Sequence, residues 1–291
     1  MAGNFNGTYQ AKLNASWKDW IHTNLTRGIP RAALYEKLRQ QGFGLGAIKD
    51  GMGTHYPDIP VDEHGRDSSG RTTAYEQLAN CALTRRKADG LRRVLTAKAQ
   101  VYLWDNFLSE DDCDTLIELT NSQLHDSTIS TAGKEKDYAF RTSKTCYLQE
   151  FDHPLVTELD TRMSSALGIS EKWSEPNQSQ KYTVGQEFKA HTDYFEPGTE
   201  EYQQFCTMAG QRTWTFMIYL NEGCEGGGTR FRKLDKIFTP TKGRAVIWNS
   251  LTVNGDPNPL TIHHGTKVRS GEKYVITKWF RDMGEGPAIT E

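Results

Sequence analysis

The sequence predicts a mainly β fold with flanking helices, in which a jelly-roll core follows a small helical N-terminal region. Three observations predict it. From Glu175 onward, short segments rich in β-branched and aromatic residues recur between Gly, Pro and Asn turns. No helical segments alternate with them, which argues against a parallel sheet and for a sandwich or jelly roll. The first part of the chain instead carries apolar residues at helical spacing.

The elements follow in order. Ser16 is a plausible N-cap for SWKDWIHTNLTRG, where Trp17, Trp20, Ile21 and Leu25 form one stripe and Gly28 supplies the stop. Pro30 opens a second helix carrying Leu34 and Leu38 before Gly42, so the pair reads as a helical hairpin. Residues 50–71 (DGMGTHYPDIPVDEHGRDSSGR) read as a loop or linker. A helical stretch with a basic run then passes through Arg85, Arg86, Lys87, Arg92 and Arg93, and a solvated helix face is the expected role. On this reading residues 1–95 form the helical N-terminal region and residues 96–291 the jelly-roll domain.

The character changes near Ala99. AQVYLW has strand composition, and Ser109 with Asp112 offers a capping box for the helix DDCDTLIELTNSQL. The strand segments after Glu175 are QKYTVGQEFKAHTDYF, QRTWTFMIYLN, GTRFRKL, GRAVIWN, NPLTIHHGTKV and EKYVITKWF.

Composition narrows the function classes. With 291 residues, 36% hydrophobic and 25% charged, the chain is long enough for a full core and too apolar for a disordered one. A formal net charge of −2 gives no broad basic field, so no nucleic-acid partner is indicated. The start, MAGNFNGTYQAKLN, lacks the apolar stretch of a signal peptide, and no window reads as a membrane span, so a cytoplasmic location is expected. Five widely spread cysteines without a C-x-x-C pair argue against a disulfide framework and a structural zinc site.

Chemistry concentrates at the end of the chain. His191-Thr192-Asp193 is an H-x-D in a strand-like segment, where side chains two apart leave on one face and can converge. Alone the triplet is weak, since an H-x-D arises by chance in roughly one protein of this size in two or three. A second strand-like segment about 70 residues later supplies His263 and His264, and alternation lets only one of them reach the same point. Two imidazoles and a carboxylate on one face of a six-coordinate metal leave open positions, the arrangement of non-haem Fe(II) oxygenases. Lys273 strengthens the case. A co-substrate that chelates iron through a 2-keto acid end carries a far carboxylate, and a buried cation is its natural partner. Tyr182 lies nine positions before His191, on the wrong pleat parity to share that face unless a bulge intervenes.

The ordered landmarks extend this pattern. They are Arg141-Thr142-Ser143, Tyr182 with Gly185-Gln186, His191 to Phe195, Arg212 before Thr215, Gly227 to Phe231, Gly243-Arg244-Ala245 with Trp248, His263-His264-Gly265 and Gly271 to Tyr274, ending in Lys278-Trp279. From about Ala99 to Met283 the chain resembles the prolyl 4-hydroxylase type of 2-oxoglutarate and Fe(II) dependent dioxygenases. The resemblance implies a double-stranded β-helix and selects His263 over His264 as the iron ligand beside His191 and Asp193. It also implies Tyr182, Thr229 and Lys273 as 2-oxoglutarate contacts, and Arg141, Ser143, Arg212 and Trp279 as residues near the substrate. The implied reaction consumes 2-oxoglutarate and O2, releases succinate and CO2, and hydroxylates an unactivated aliphatic carbon of an amino-acid-like substrate. Retention of Asp193 favours hydroxylation over halogenation.

Departures from the family pattern concern the substrate: Phe188 where a Tyr is usual, Thr266-Lys267 for Cys-Pro, Arg230 between Thr229 and Phe231, and Arg281 for a His. These count against peptidyl proline and make an anionic small molecule or a free amino acid a serious contender, with Lys267, Arg230 or Arg281 pairing with its carboxylate. Two alternatives stand beside hydroxylation: desaturation or cyclisation by the same chemistry, and a catalytically silent sensor or scaffold that binds metal and 2-oxoglutarate. The N-terminal region is expected to pack on the barrel, cover its mouth or support a homodimer.

Overall fold

Alternation along the long strands sets the architecture. The computed structural model describes residues 13–41, 43, 45–56, 78–128, 140–206, 209–252, 255–285 and 288–289. Three short helices come first, α1 (Ala15–Thr26), α2 (Arg31–Gln40) and α3 (Leu45–Met52). They enclose a small core of Ile21, Leu34, Tyr35, Leu38, Phe43 and Ile48, with Trp17 edge-on to both Trp20 and Phe43. The predicted hairpin is therefore a three-helix unit. Its first cap is Asn14, whose Oδ1 accepts from the Trp17 amide at 3.0 Å; Ser16 falls inside the first turn, where it caps nothing.

The basic run departs from expectation. Ala82–Thr84 is a single 3₁₀ turn, and Leu91–Arg93 is a strand, β1, antiparallel to β2 (Val101–Trp104). Arg92 pairs with Asp105, and Arg86 donates to the Ser165 carbonyl at 2.7 Å. The run is a solvated surface, as expected, without being a helix. Helix α4 (Glu110–Ser122) starts at the predicted Ser109, whose Oγ accepts from the Asp112 amide at 3.1 Å. Three acids in its first turn add favourable charge at that end, worth roughly 0.3–1 kcal/mol each.

The remaining strands are β3 (His125–Asp126), β4 (Lys144–Tyr147), β5 (Gln178–Tyr182), β6 (Phe188–His191), β7 (Arg212–Tyr219), β8 (Glu225–Gly226), β9 (Thr229–Phe231), β10 (Lys236–Phe238), β11 (Ala245–Asn249), β12 (His263–Gly265), β13 (Val268–Ser270) and β14 (Lys273–Arg281). Helix α5 (Pro154–Leu167) follows β4, and α6 (Glu200–Cys206) lies between β6 and β7. Eight strands form one sheet in the order β1-β2-β11-β7-β14-β5-β4-β3, and four form a second in the order β10-β9-β12-β6. Every pairing is antiparallel. This is the mainly antiparallel double-stranded β-helix with flanking helices that the sequence predicted.

Strand β7 shows why the large sheet is buried on both faces. Trp214, Phe216 and Ile218 face a core shared with α4 and α5, through Cys113, Leu116, Leu159, Met163 and Leu167. Met217 and Tyr219 face the opposite way, into the space between the sheets, beside Phe231, Phe238, Val246 and Trp248. Trp214 also donates its Nε1–H to the Leu78 carbonyl at 2.8 Å, which ties the segment ahead of β1 to the sheet. Two segments read as single strands are each two: β5 and β6 flank the turn at Gly185 (φ +88°), and β12 and β13 flank Thr266-Lys267. No helix among the described residues is long and apolar enough to cross a membrane.

Candidate active site

The centre is built at the edge where β6 meets β12. His191 and His263 are direct cross-strand partners, so their imidazoles leave the small sheet side by side, with ring centroids 4.4 Å apart. Strand β6 ends at His191, and Asp193 follows it in a bend. His191 Nε2 lies 3.7 Å and His263 Nε2 3.9 Å from Asp193 Oδ1. One ligand atom from each of the three residues falls within 4.8 Å of the others, the only such group among the described residues. Of the adjacent pair, His263 faces this point, while His264 pairs across to Arg230 on the outer side of the small sheet.

Neighbours hold each ligand in place. His191 Nδ1–H donates to the Lys189 carbonyl at 2.8 Å and His263 Nδ1–H to the Thr261 carbonyl at 3.0 Å. Both Nε2 lone pairs are thereby turned toward the shared point. Asp193 Oδ2 accepts from Thr215 Oγ1 at 2.6 Å, leaving Oδ1 facing the imidazoles. Phe188 stacks on His191 at 3.7 Å, while Phe231 stacks on His263 at 5.1 Å and Trp248 meets it edge-on at 4.8 Å. Burial, reinforced by His263, pushes the His191 pKa down to about 3, so the ring is neutral at ordinary pH. Burial opposes the charge on Asp193, but His263, His191 and the Thr215 hydroxyl outweigh it and hold its pKa below the usual carboxylate range.

Behind the triad lies Lys273, 2% exposed, with Nζ 4.9 Å from the centre of the Tyr182 ring and 5.5 Å from that of Tyr219. No carboxylate within ion-pair distance of it is found among the described residues, and burial pushes its pKa down to about 8. It lines one narrow cavity with Tyr182, Thr229, His191, Asp193 and His263. Gly265 keeps one side of the ammonium open, since a Cβ there would sit 3.7 Å from Nζ. The parity objection to Tyr182 dissolves because Tyr182 and His191 stand on different strands of different sheets, and Tyr182 is the cross-strand partner of Lys273. Thr229 Oγ1 accepts from the Tyr219 hydroxyl at 2.7 Å on the same wall.

A wider cavity of about 480 Å³ opens beside the triad and is lined by Arg141, Phe188, Tyr194, Phe195, Arg212 and Trp279, among others. Ser143 is absent from its lining: it is buried beneath Arg141, where its Oγ accepts from Arg141 Nε at 3.3 Å and bonds Ser127 Oγ at 2.7 Å. Arg212 lies over the Trp279 ring at 4.0 Å and makes a bidentate pair with Glu175, at 2.5 and 2.7 Å. Glu175 also meets Arg281 Nε at 2.7 Å. Burial alone would raise the Glu175 pKa; the two guanidiniums reverse this and hold it low.

Glu175 escaped the sequence reading, because a single Glu in the loop ahead of β5 has no periodicity or motif to mark it. The cations expected to receive a substrate carboxylate are placed otherwise. Arg230 is exposed on the outer face of β9, Lys267 is 57% exposed with Glu187 3.8 Å away, and Arg281 is already occupied by Glu175 and backbone carbonyls. Alternation along β9 turns Thr229 and Phe231 inward and so Arg230 outward.

Residues 177–281 match the family model described as the 2OG-Fe(II) oxygenase superfamily. This stretch is similar to the 2OG-Fe(II) oxygenases, and the relatives that match the chain are prolyl 4-hydroxylases. The chain is 29% identical over 268 residues to prolyl 4-hydroxylase 1 of Arabidopsis thaliana, covering 84% of this chain and 90% of that protein. Over 185 residues it is 29% identical to the prolyl 4-hydroxylase subunit alpha-1 of Caenorhabditis elegans, covering 62% of this chain and 33% of the subunit. The chain thus spans about a third of the length of several animal relatives it matches. Among solved structures, it is similar to a viral collagen prolyl hydroxylase of Paramecium Bursaria Chlorella virus-1, with 25% identity, a TM-score of 0.47, and coverage of 62% of this chain and 94% of that one.

The oxygenase family uses Fe(II), 2-oxoglutarate and O2, and the donor set here fits them. Two imidazoles and one carboxylate suit ferrous iron with open positions. The buried ammonium, with no carboxylate beside it among the described residues, suits the far end of 2-oxoglutarate.

Proposed function

We propose that this oxygenase hydroxylates an unactivated aliphatic C–H bond of an amino-acid-like substrate, such as a prolyl-like residue within a peptide, with release of succinate and CO2. One observation carries the reading: the His191, Asp193, His263 triad and the Lys273 ammonium, which has no carboxylate beside it among the described residues, line a single narrow cavity. The cavity beside it, at about 480 Å³, suits a stretch of peptide better than one free amino acid. The names of the curated relatives point the same way.

In this reading His191, Asp193 and His263 hold Fe(II), which with 2-oxoglutarate and O2 supplies the oxidising power. Lys273, with Tyr182 and Thr229, anchors the far carboxylate of 2-oxoglutarate, recovering the cost of burying an ammonium. The Nδ1–H bonds of both histidines and the Thr215 bond to Asp193 fix the ligands, so little reorganisation accompanies binding. Phe188, Phe231 and Trp248 crowd the imidazoles with apolar surface and exclude water. Arg141, Arg212 and Trp279 face the substrate, and Ser143 steadies Arg141 from below. The catalytic unit is the jelly roll of residues 96–291, to which β1 adds an edge strand, and helices α1, α2 and α3 form a region of separate role.

The test is succinate formation with Fe(II), 2-oxoglutarate and blocked proline-containing peptides, followed by mass analysis. Peptide-dependent succinate with a gain of one oxygen supports hydroxylation. A loss of two hydrogens instead points to desaturation or cyclisation, and bound iron without succinate for any peptide, amino acid or extract contradicts the enzymatic reading.

A further inference from the structure

The segment between Asp193 and β7 forms one wall of the wide cavity, through Tyr194, Phe195, Glu196, Thr199 and Glu201. Its two ends are clasped by Gln211. The Gln211 Oε1 accepts from the Phe195 amide at 2.8 Å, and its Nε2 donates to the Phe195 carbonyl at 2.6 Å. Such a clasp closes a loop on itself without fixing where the loop sits over the cavity.

Arg281 provides that fixing. Its Nη1 donates to the Gly210 carbonyl at 2.6 Å and the Phe205 carbonyl at 3.2 Å, on the return limb of the wall. Its Nε lies 2.7 Å from Glu175 Oε1, the carboxylate that also holds Arg212. The Phe195 ring has Arg212 5.0 Å and Arg281 5.4 Å from its centre and stacks on Phe205 at 5.3 Å. A planar cation with several fixed donors can bridge two carbonyls and a carboxylate; an ammonium or an imidazole cannot reach all three at once. At the same place Gly210, with φ +70°, approaches so closely that a Cβ would meet Asp282 Oδ1 at 2.0 Å. The wall is thus docked on the end of β14 by backbone contact, not by a sliding apolar surface.

We propose that Arg281 is a specificity-determining positioning residue: it pins the Phe195–Gln211 wall to the Glu175–Arg212 pair and so sets how bulky a substrate residue the cavity admits. The inference rests on the hydroxylase reading for the word substrate, but the pin itself does not. Two arms test it in the full chain loaded with Fe(II) and 2-oxoglutarate, comparing the parent with Arg281→Lys and Arg281→Gln. In the first, hydrogen–deuterium exchange of residues 195–211 rises at least tenfold in Arg281→Gln and less in Arg281→Lys, while exchange around His191 and His263 stays at the parent level. In the second, blocked peptides with Gly or Trp after the proline are compared. The parent prefers Gly, and the ratio of kcat/KM between the two falls at least fivefold in Arg281→Gln through KM, with partial rescue in Arg281→Lys. Unchanged wall exchange, or an unchanged peptide ratio, overturns the proposal. If Arg281→Gln does not fold, Phe205→Leu loosens the same wall from its other side and is read in the same way. Should no peptide yield succinate with the parent, the hydroxylase reading fails, and the exchange arm alone decides whether Arg281 is a pin.

Discussion

Burial of the Lys273 ammonium pushes its pKa down from the ordinary 10.5 to about 8, and this has a signed consequence. Because the folded value lies below the unfolded one, the cost of the buried charge is fully present below pH 8. It is relieved as pH climbs toward 10.5, so this group favours the empty fold at high pH. Anchoring a carboxylate requires the charged form. The KM for 2-oxoglutarate is therefore expected to rise about tenfold or more between about pH 7.5 and 9.5, and to stay nearly flat in Lys273→Arg, whose guanidinium does not titrate there. Thr215→Val removes the hydrogen bond to Asp193 and is expected to weaken iron binding about 10- to 100-fold, measured by competition with a chelator; an unchanged affinity would show that the hydroxyl does not orient the ligand. At this scale the sequence was most legible where chemistry restricts residue type. An H-x-D, a distant His and a Lys in the following strand name the centre because few other side chains bind iron or anchor a carboxylate. Glu175 and Gln211 were illegible, since their roles come from what the fold carries up to them across 37 and 16 residues of chain.

At the scale of elements, turns carry as much information as strands. Gly243 has φ +76°, and a Cβ there would meet the Leu108 carbonyl at 2.4 Å, where the loop ahead of α4 meets the entry to β11. Gly243→Ala is expected to lower stability by about 1–3 kcal/mol in urea unfolding while the folded fraction keeps its iron; a stability within 0.5 kcal/mol of the parent would mean that the junction yields freely. Strand order and pairing were beyond the sequence, but strand existence was not. The turns at Gly185 and at Thr266-Lys267 were hidden inside runs that read as continuous, and splitting the first of them removes the apparent parity conflict at Tyr182. Helix α5 shows the opposite case. Pro154 at its start and Leu155, Val156, Leu159, Met163 and Leu167 at helical spacing spell it out, yet strand-rich surroundings draw attention away from it. The basic run failed as a helix because Arg92 and Arg93 find cross-strand partners on β2, and tertiary pairing overrides local propensity.

For the whole molecule, the three N-terminal helices and the jelly roll are expected to unfold as two units. The helices have an aromatic-rich core of their own, distinct from the two cores that sandwich the large sheet. Leu38→Ala, at a fully buried position of that small core, is expected to cost about 2–5 kcal/mol there. Scanning calorimetry is then expected to show an early transition moving down while the main one stays; a single transition moving as a whole would join the two units. One cavity, with the iron triad at one end and the carboxylate anchor at the other, carries the chemistry of the whole molecule. Anaerobic binding measurements test that most directly. The expected result is one Fe(II) per chain, 2-oxoglutarate bound tightly only when iron is present, loss of both in His263→Ala, and loss of 2-oxoglutarate alone in Lys273→Ala. Iron retained by His263→Ala, or 2-oxoglutarate bound equally well by Lys273→Ala, would contradict it.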